Sequence, residues 1–159
     1  AVSGAHFASD DDEDIRSQYV EGDWGWVVLD GGGNDLNDRC ECGDCRSVLD
    51  ELLSSDGTEG AVVDTMDALL ETGTRVIFLT YYDLPPTAQF GFAQCGDESQ
   101  ALADRASAMA RSRDGVYWVD MGQVVKPSDL SAYDEDHVHP SAQGSALIGG
   151  LVADVISAQ

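Results

Sequence analysis

The sequence predicts a single α/β domain built on a parallel sheet, and three observations carry that prediction. Short apolar runs at Trp24 to Asp30, Arg75 to Tyr82 and Gly115 to Met121 have the length and near-continuous hydrophobicity of strands buried on both faces. Segments with helical apolar spacing lie between and after them. Strand and helix therefore alternate, an order that puts helices on the faces of a parallel sheet and ligands at the carboxyl ends of its strands.

Taken in order, Trp24 to Asp30 (W-G-W-V-V-L-D) runs into three glycines, so it reads as a buried strand stopping at a tight loop where chemistry can sit. Val48, Leu49, Leu52 and Leu53 mark a helix from about Cys45 to Ser54. Val62, Val63, Met66, Leu69 and Leu70 mark a second from about Glu59 to Thr72, ended by Gly73. Arg75 to Tyr82 (R-V-I-F-L-T-Y-Y) is the clearest strand, and Pro85 and Pro86 bar the following stretch from regular structure. A long loop then reaches about Gly96. An Ala-rich helix from about Glu98 to Arg113, the strand Gly115 to Met121, and an amphipathic helix from Ser141 to Ser157 complete the pattern.

Composition narrows the function. The chain has 159 residues, the size of one domain, and 43% hydrophobic residues supply a moderate core. Its longest apolar stretches, such as Val27 to Leu29 and Val76 to Leu79, fall far short of the roughly 18 residues of a membrane span, so a soluble domain is expected. Thirty acidic residues against eight basic ones give a formal charge of −22, which repels nucleic acid and anionic membrane surfaces. Asp10 to Asp14 (D-D-D-E-D) lacks the glycine and spaced ligands of a calcium loop and reads as a solvated acidic turn.

Four cysteines, Cys40, Cys42, Cys45 and Cys95, fit two disulfides that pin the polar loop after Asn34-Asp35 to the loop around Cys95, in a secreted or periplasmic protein. The C-x-x-C spacing of Cys42 and Cys45 also fits a structural zinc site, although Cys40 crowds it and a second such pair is missing. Gly43-Asp44-Cys45 resembles a nucleophile turn in composition only, because it follows a loop and not an apolar strand.

Two motifs point to acyl chemistry. In Asp136-His137-Val138-His139-Pro140, a turn before Pro140 can set the carboxylate beside the imidazole, fixing its tautomer and stabilising the imidazolium. In Gly31-Gly32-Gly33-Asn34-Asp35, the side-chain amide of Asn34 can face a developing oxyanion, the glycines permit close approach, and Asp35 can hold the loop through backbone amides.

Together these motifs resemble those of the SGNH hydrolases, also called GDSL esterases and lipases. Gly32-Gly33-Asn34-Asp35 matches the family's G-x-N-D motif, Asp136 to Pro140 matches its D-x-x-H-P motif, and Ala1-Val2-Ser3-Gly4-Ala5 looks like its glycine motif. The resemblance implies a flavodoxin-like three-layer α/β/α fold and a cofactor-free, metal-free serine esterase acting on small carboxylic esters. It assigns His139 and Asp136 to a Ser-His-Asp triad, and Gly4 and Asn34 to the oxyanion hole, with Gly33 and Asp35 in support.

The family's Gly-Asp-Ser segment, which should precede Ala1, has no counterpart here. Ser3 lies inside the glycine motif, and Ser99 lies at a helix start after a loop, so neither follows a strand on a nucleophile elbow. In the family's sheet order, 2-1-3-4-5, loss of the first strand and most of the second would expose the edge of the Trp24 to Asp30 strand. The chain is therefore read as the C-terminal portion of one domain, 1–159. Its N-terminal partner, carrying strand one and the nucleophilic serine, is expected as a separate chain cleaved from the same precursor. A binding module that lost its nucleophile, and a metal-dependent phosphoesterase using Asp136, His137 and His139 with Asn34 and Asp35, are the rival readings. His137 otherwise reads as packing or solvent-facing. Tyr81, Tyr82 and the stretch from Leu84 to Phe92 are placed at the same end of the sheet, either lining a substrate pocket or capping the core.

Overall fold

The computed structural model describes residues 4–7 and 14–159. Ser3 and most of the acidic run at Asp10 to Asp14 lie outside the described residues; Asp14 itself pairs with Arg16.

Three parallel strands form one sheet in the order β1 (Trp26–Asp30), β2 (Arg75–Thr80) and β3 (Val116–Asp120). Val28 is in register with Ile77, and Ile77 with Tyr117. The central strand β2 is buried on both faces from Val76 to Thr80, as its unbroken apolar run predicts. Because side chains alternate along a strand, its residues split between two cores. Val76 and Phe78 pack with helices α2 (Arg46–Leu52), α3 (Ala61–Glu71) and α4 (Gly96–Ser112) through Leu52, Val62, Met66, Leu102 and Met109. On the opposite face, Ile77 and Leu79 pack with Val125, Tyr133 and, on α5 (Ala142–Ser157), Ile148. Helices on both faces make the three layers expected, with a strand count that fits a shortened flavodoxin-like sheet.

The helix ends follow local chemistry. Ser141 caps α5 by accepting a hydrogen bond from the Gly144 amide at 3.2 Å. After α3, Gly73 takes the left-handed φ of +83° while its amide donates to the Leu70 carbonyl, ending the helix where the sequence predicts.

Two elements depart from the sequence reading: the strand read as buried from Trp24 begins at Trp26, has no buried residue and leaves Trp24 exposed, and the loop read after the glycines is helical. In this helix, α1 (Gly33–Cys40), Asn34 and Asp35 occupy the first turn and Cys40 is the last residue. Its composition, G-N-D-L-N-D-R-C, contains a single apolar residue with a periodic partner to find, Leu36, and that residue is fully buried. Tertiary anchoring, rather than an amphipathic stripe, makes this helix. The cysteines are oxidised in pairs, Cys40 with Cys45 and Cys42 with Cys95. The second bridge ties the end of α1 to the start of α4, as expected of a loop-to-loop staple. The first is local. Both bridges together occupy every sulfur that the zinc reading required.

Candidate active site

The chain leaves β1 at Asp30 and turns sharply through the three glycines into α1. A side chain at Gly31 would collide with Ile15 and Phe7, and Gly32 has a φ of +98°, so glycine is required at both. This close packing brings Gly4 to Phe7 against the first turn of α1. Asp35, fully buried, accepts a hydrogen bond from the Phe7 amide at 3.1 Å. The Asn34 side-chain amide donates to the Ala5 carbonyl at 3.1 Å. Gly4 has a φ of +83° and lies, like Asn34, on the wall of a cavity of about 1370 Å³. Asp35, read from the sequence as holding its own loop, here holds the Phe7 amide of the N-terminal segment.

Asp136 and His139 line the same cavity. Their turn is built by Asp136 itself: one carboxylate oxygen accepts from the amides of Val138 at 2.8 Å and His139 at 2.9 Å. The other oxygen lies 2.6 Å from Nδ1 of His139. His137, between them, takes a left-handed φ of +56° that closes the turn. Partial burial pushes the Asp136 carboxyl upward, but the His139 ring, the two amides and the positive charge that His139 can carry outweigh it and bring its pKa down to about 2. The carboxylate is therefore ionised throughout the neutral range. With Nδ1 engaged by Asp136, Nε2 of His139 is the ring nitrogen left to exchange a proton.

A ring of tyrosines supports this turn. Tyr82 donates its hydroxyl to the Val138 carbonyl at 2.8 Å, and Tyr133 donates to the Asp83 carbonyl at 2.7 Å. Burial, with the nearby charges of Asp83 and Asp129, pushes the Tyr133 phenol up to about 12, so it stays a donor. Burial also raises Tyr81 and Tyr82. Asp30, at the end of β1, faces the cavity, where loss of bulk solvent raises its carboxyl.

The loop after β2 closes one side. Thr87 hydrogen-bonds Nδ1 of His137 at 2.7 Å, and the Gln89 amide donates to the Asp136 carbonyl at 3.0 Å while its side chain donates to the Glu135 carbonyl at 3.3 Å. Leu84, Phe90 and Phe92 from this loop line the cavity with Tyr81 and Tyr82, at the end of the sheet where the sequence placed them. Gln89 carried no signal in the sequence, because its role is set by backbone proximity that only the fold creates. Ser99, in the first turn of α4, reaches the cavity wall as well.

Among the described residues no group of three or more His, Cys, Asp and Glu side chains converges to hold a metal ion. Asp136 and His139 face each other, and His137 is held by Thr87, so these three do not share a focal point as the phosphoesterase reading required.

A parallel sheet with helices on both faces, carrying an aspartate–histidine pair and an Asn-bearing helix start at its carboxyl end, defines an α/β protein of the flavodoxin-like type. The chain belongs to the GDSL-like lipase/acylhydrolase family, whose model matches residues 1–147. Solved structures share the fold. A protein from Bacteroides fragilis assigned as an acylhydrolase is 17% identical, with a TM-score of 0.60 over 84% of this chain and 61% of its own. A GDSL-like lipase from Bacteroides thetaiotaomicron is 19% identical, with a TM-score of 0.59 over 84% of this chain and 62% of its own. A Streptococcus pneumonia protein assigned as a platelet activating factor is 14% identical, with a TM-score of 0.60 over 87% and 63%. The chain thus spans about three fifths of the length of these structures. No curated protein matches it.

Proposed function

We propose that this chain supplies the acid–base and oxyanion half of a serine ester hydrolase, with the nucleophilic serine brought by a separate N-terminal segment or chain. The observation that carries the proposal is the 2.6 Å contact between Asp136 and Nδ1 of His139 in a cavity shared with Gly4 and Asn34. That cavity runs beside β1, whose Val28 remains 44% exposed. An apolar strand edge left open in this way is a template for a further strand, and a serine at the end of such a strand would arrive at the cavity.

In the completed site the serine hydroxyl attacks the ester carbonyl while Nε2 of His139 takes its proton, and Asp136 stabilises the imidazolium. The Gly4 amide and the Asn34 side chain hydrogen-bond the oxyanion; Asn34 has a second N–H beyond the one given to Ala5. The tetrahedral intermediate collapses, the carbon–oxygen bond to the alcohol breaks, and His139 returns the proton to the leaving oxygen. Water, deprotonated by His139, then releases the acid and restores the serine. Two disulfides are compatible with an extracellular protein, and the secreted or periplasmic setting belongs to the same proposal. No helix among the described residues is long and apolar enough to cross a membrane.

A fluorophosphonate probe tests the reading. Purified from its native source, the protein should be labelled on a serine of the N-terminal segment, identified by peptide mass, and should hydrolyse short-chain esters. Absence of labelling on any serine would leave the binding-module reading in its place.

A further inference from the structure

Phe90 is an unusual residue in an unusual conformation. Its side chain is 63% exposed, and its backbone φ is +61°, a left-handed value that a bulky side chain seldom adopts. Conformations of this kind persist where neighbouring structure imposes them, and they concentrate at functional sites. Here the neighbours are identifiable. On one side, Thr87 and Gln89 bind the turn that carries Asp136 and His139. On the other, Gly91 also takes a left-handed φ, +82°, at a place where an added side chain would come within 3.4 Å of Asn37 Oδ1 on α1, and the Cys42–Cys95 bridge follows. Phe90 is thus held at the cavity wall between the two halves of the site, with no apolar core to account for its exposed ring.

We infer that Phe90 is a specificity-determining residue that packs on the apolar alcohol portion of the ester, so that substrates with longer aliphatic leaving alcohols are favoured. The inference rests on the serine-esterase reading above. Its direction comes from proton transfer: His139 must return a proton to the leaving oxygen, so the alcohol departs along the flank of the Asp136–His139 turn. The loop that bears Phe90 is bonded to that same turn through the Gln89 amide and the Asp136 carbonyl. Leu84, from the same loop, and Val138 and Pro140, from the Asp136–His139 turn, add apolar lining to the cavity, whereas the oxyanion donors Gly4 and Asn34 come from separate segments. An aliphatic chain lying there would cover the aromatic face that solvent now meets, and burying such area is favourable.

Ethyl and hexyl acetate test this, because their alcohols are almost equally acidic and differ in apolar length. In the assembled protein, Phe90→Ala should lower the ratio of kcat/KM for hexyl over ethyl acetate by about 10-fold. Phe90→Asn, which tolerates a left-handed backbone, should do the same, and Phe90→Leu should retain most of the ratio. An unchanged ratio in both Ala and Asn variants, or a fall confined to ethyl hexanoate over ethyl acetate, would overturn the assignment. If the wild type hydrolyses no ester, the esterase reading fails separately, and an NMR titration with 1-hexanol decides the subsite. Weaker binding by about 10-fold in Phe90→Ala supports it, and equal binding removes it.

Discussion

β1 and β3 are both edge strands of one parallel sheet, yet their surroundings differ. β3 has α4 against one face and α5 against the other, and its Val116 and Val119 are buried. β1 has no buried residue: Val27 and Leu29 are half-covered, and Val28 is 44% exposed while its register partner Ile77 is fully buried. The candidate site straddles this divide. The Asp136–His139 turn hangs from the covered side, fixed by Tyr82 and Gln89. Gly4 and Asn34 belong to the open side, where Asn34 donates to the Ala5 carbonyl and Asp35 accepts from the Phe7 amide. The half of the site that holds the aspartate–histidine pair is thus complete in its packing, while the half with Gly4 and Asn34 stands where the sheet is open.

The largest expected effect breaks the complete half. In the assembled enzyme, His139→Ala should lower kcat by at least about 10⁴-fold, because the serine then loses its base and the leaving oxygen its acid. Residual activity within 10-fold of wild type, measured with ethyl acetate, would remove His139 from the mechanism. Next comes the covered core: Ile77→Ala should destabilise the chain by about 2–5 kcal/mol in urea unfolding, the usual cost of a buried cavity. Asn34→Ala should cost about 10²–10³-fold in kcat with little change in KM, the loss of one oxyanion donor, leaving measurable turnover where His139→Ala leaves almost none. Equal losses in the two variants would show that Asn34 serves to hold Ala5 instead.

Much of this arrangement was legible in the residues. β2 announced itself through Val76 to Leu79, and Asp136 and His139 through a spacing that a turn before Pro140 can close. The α1 helix was not legible, because Asn34, Asp35, Asn37 and Asp38 have turn-like chemistry and only Leu36 supplies a buried anchor. It is anchored by the Phe7 amide on Asp35 and, just past its end, by the bridge from Cys42 to Cys95, distant partners that local pattern does not reveal. Gln89 was hidden for a related reason, because it acts through its backbone amide, whereas Phe90 lay in the stretch placed at the pocket and is singled out only by its φ and its exposure. The disulfide partners were open in the sequence among three pairings, and the fold chose by proximity, since Cys95 reaches Cys42 across the end of α1.

The smallest effect sharpens the comparison most. Val28 and Ile77 are directly paired, lie on the same face of the sheet and are both β-branched. In this chain alone, Val28→Ala should change unfolding stability by no more than about 0.5 kcal/mol, because its side chain already meets water and little area is lost. In the assembled enzyme the same substitution should cost about 1–2 kcal/mol, since a strand docked on β1 and the layer above it would bury Val28 as Ile77 is buried now. The difference between those two values is the quantity of interest. A cost that stays near zero in both settings would mean that the partner segment leaves this face of β1 open, and that the serine reaches His139 by a route other than pairing with β1.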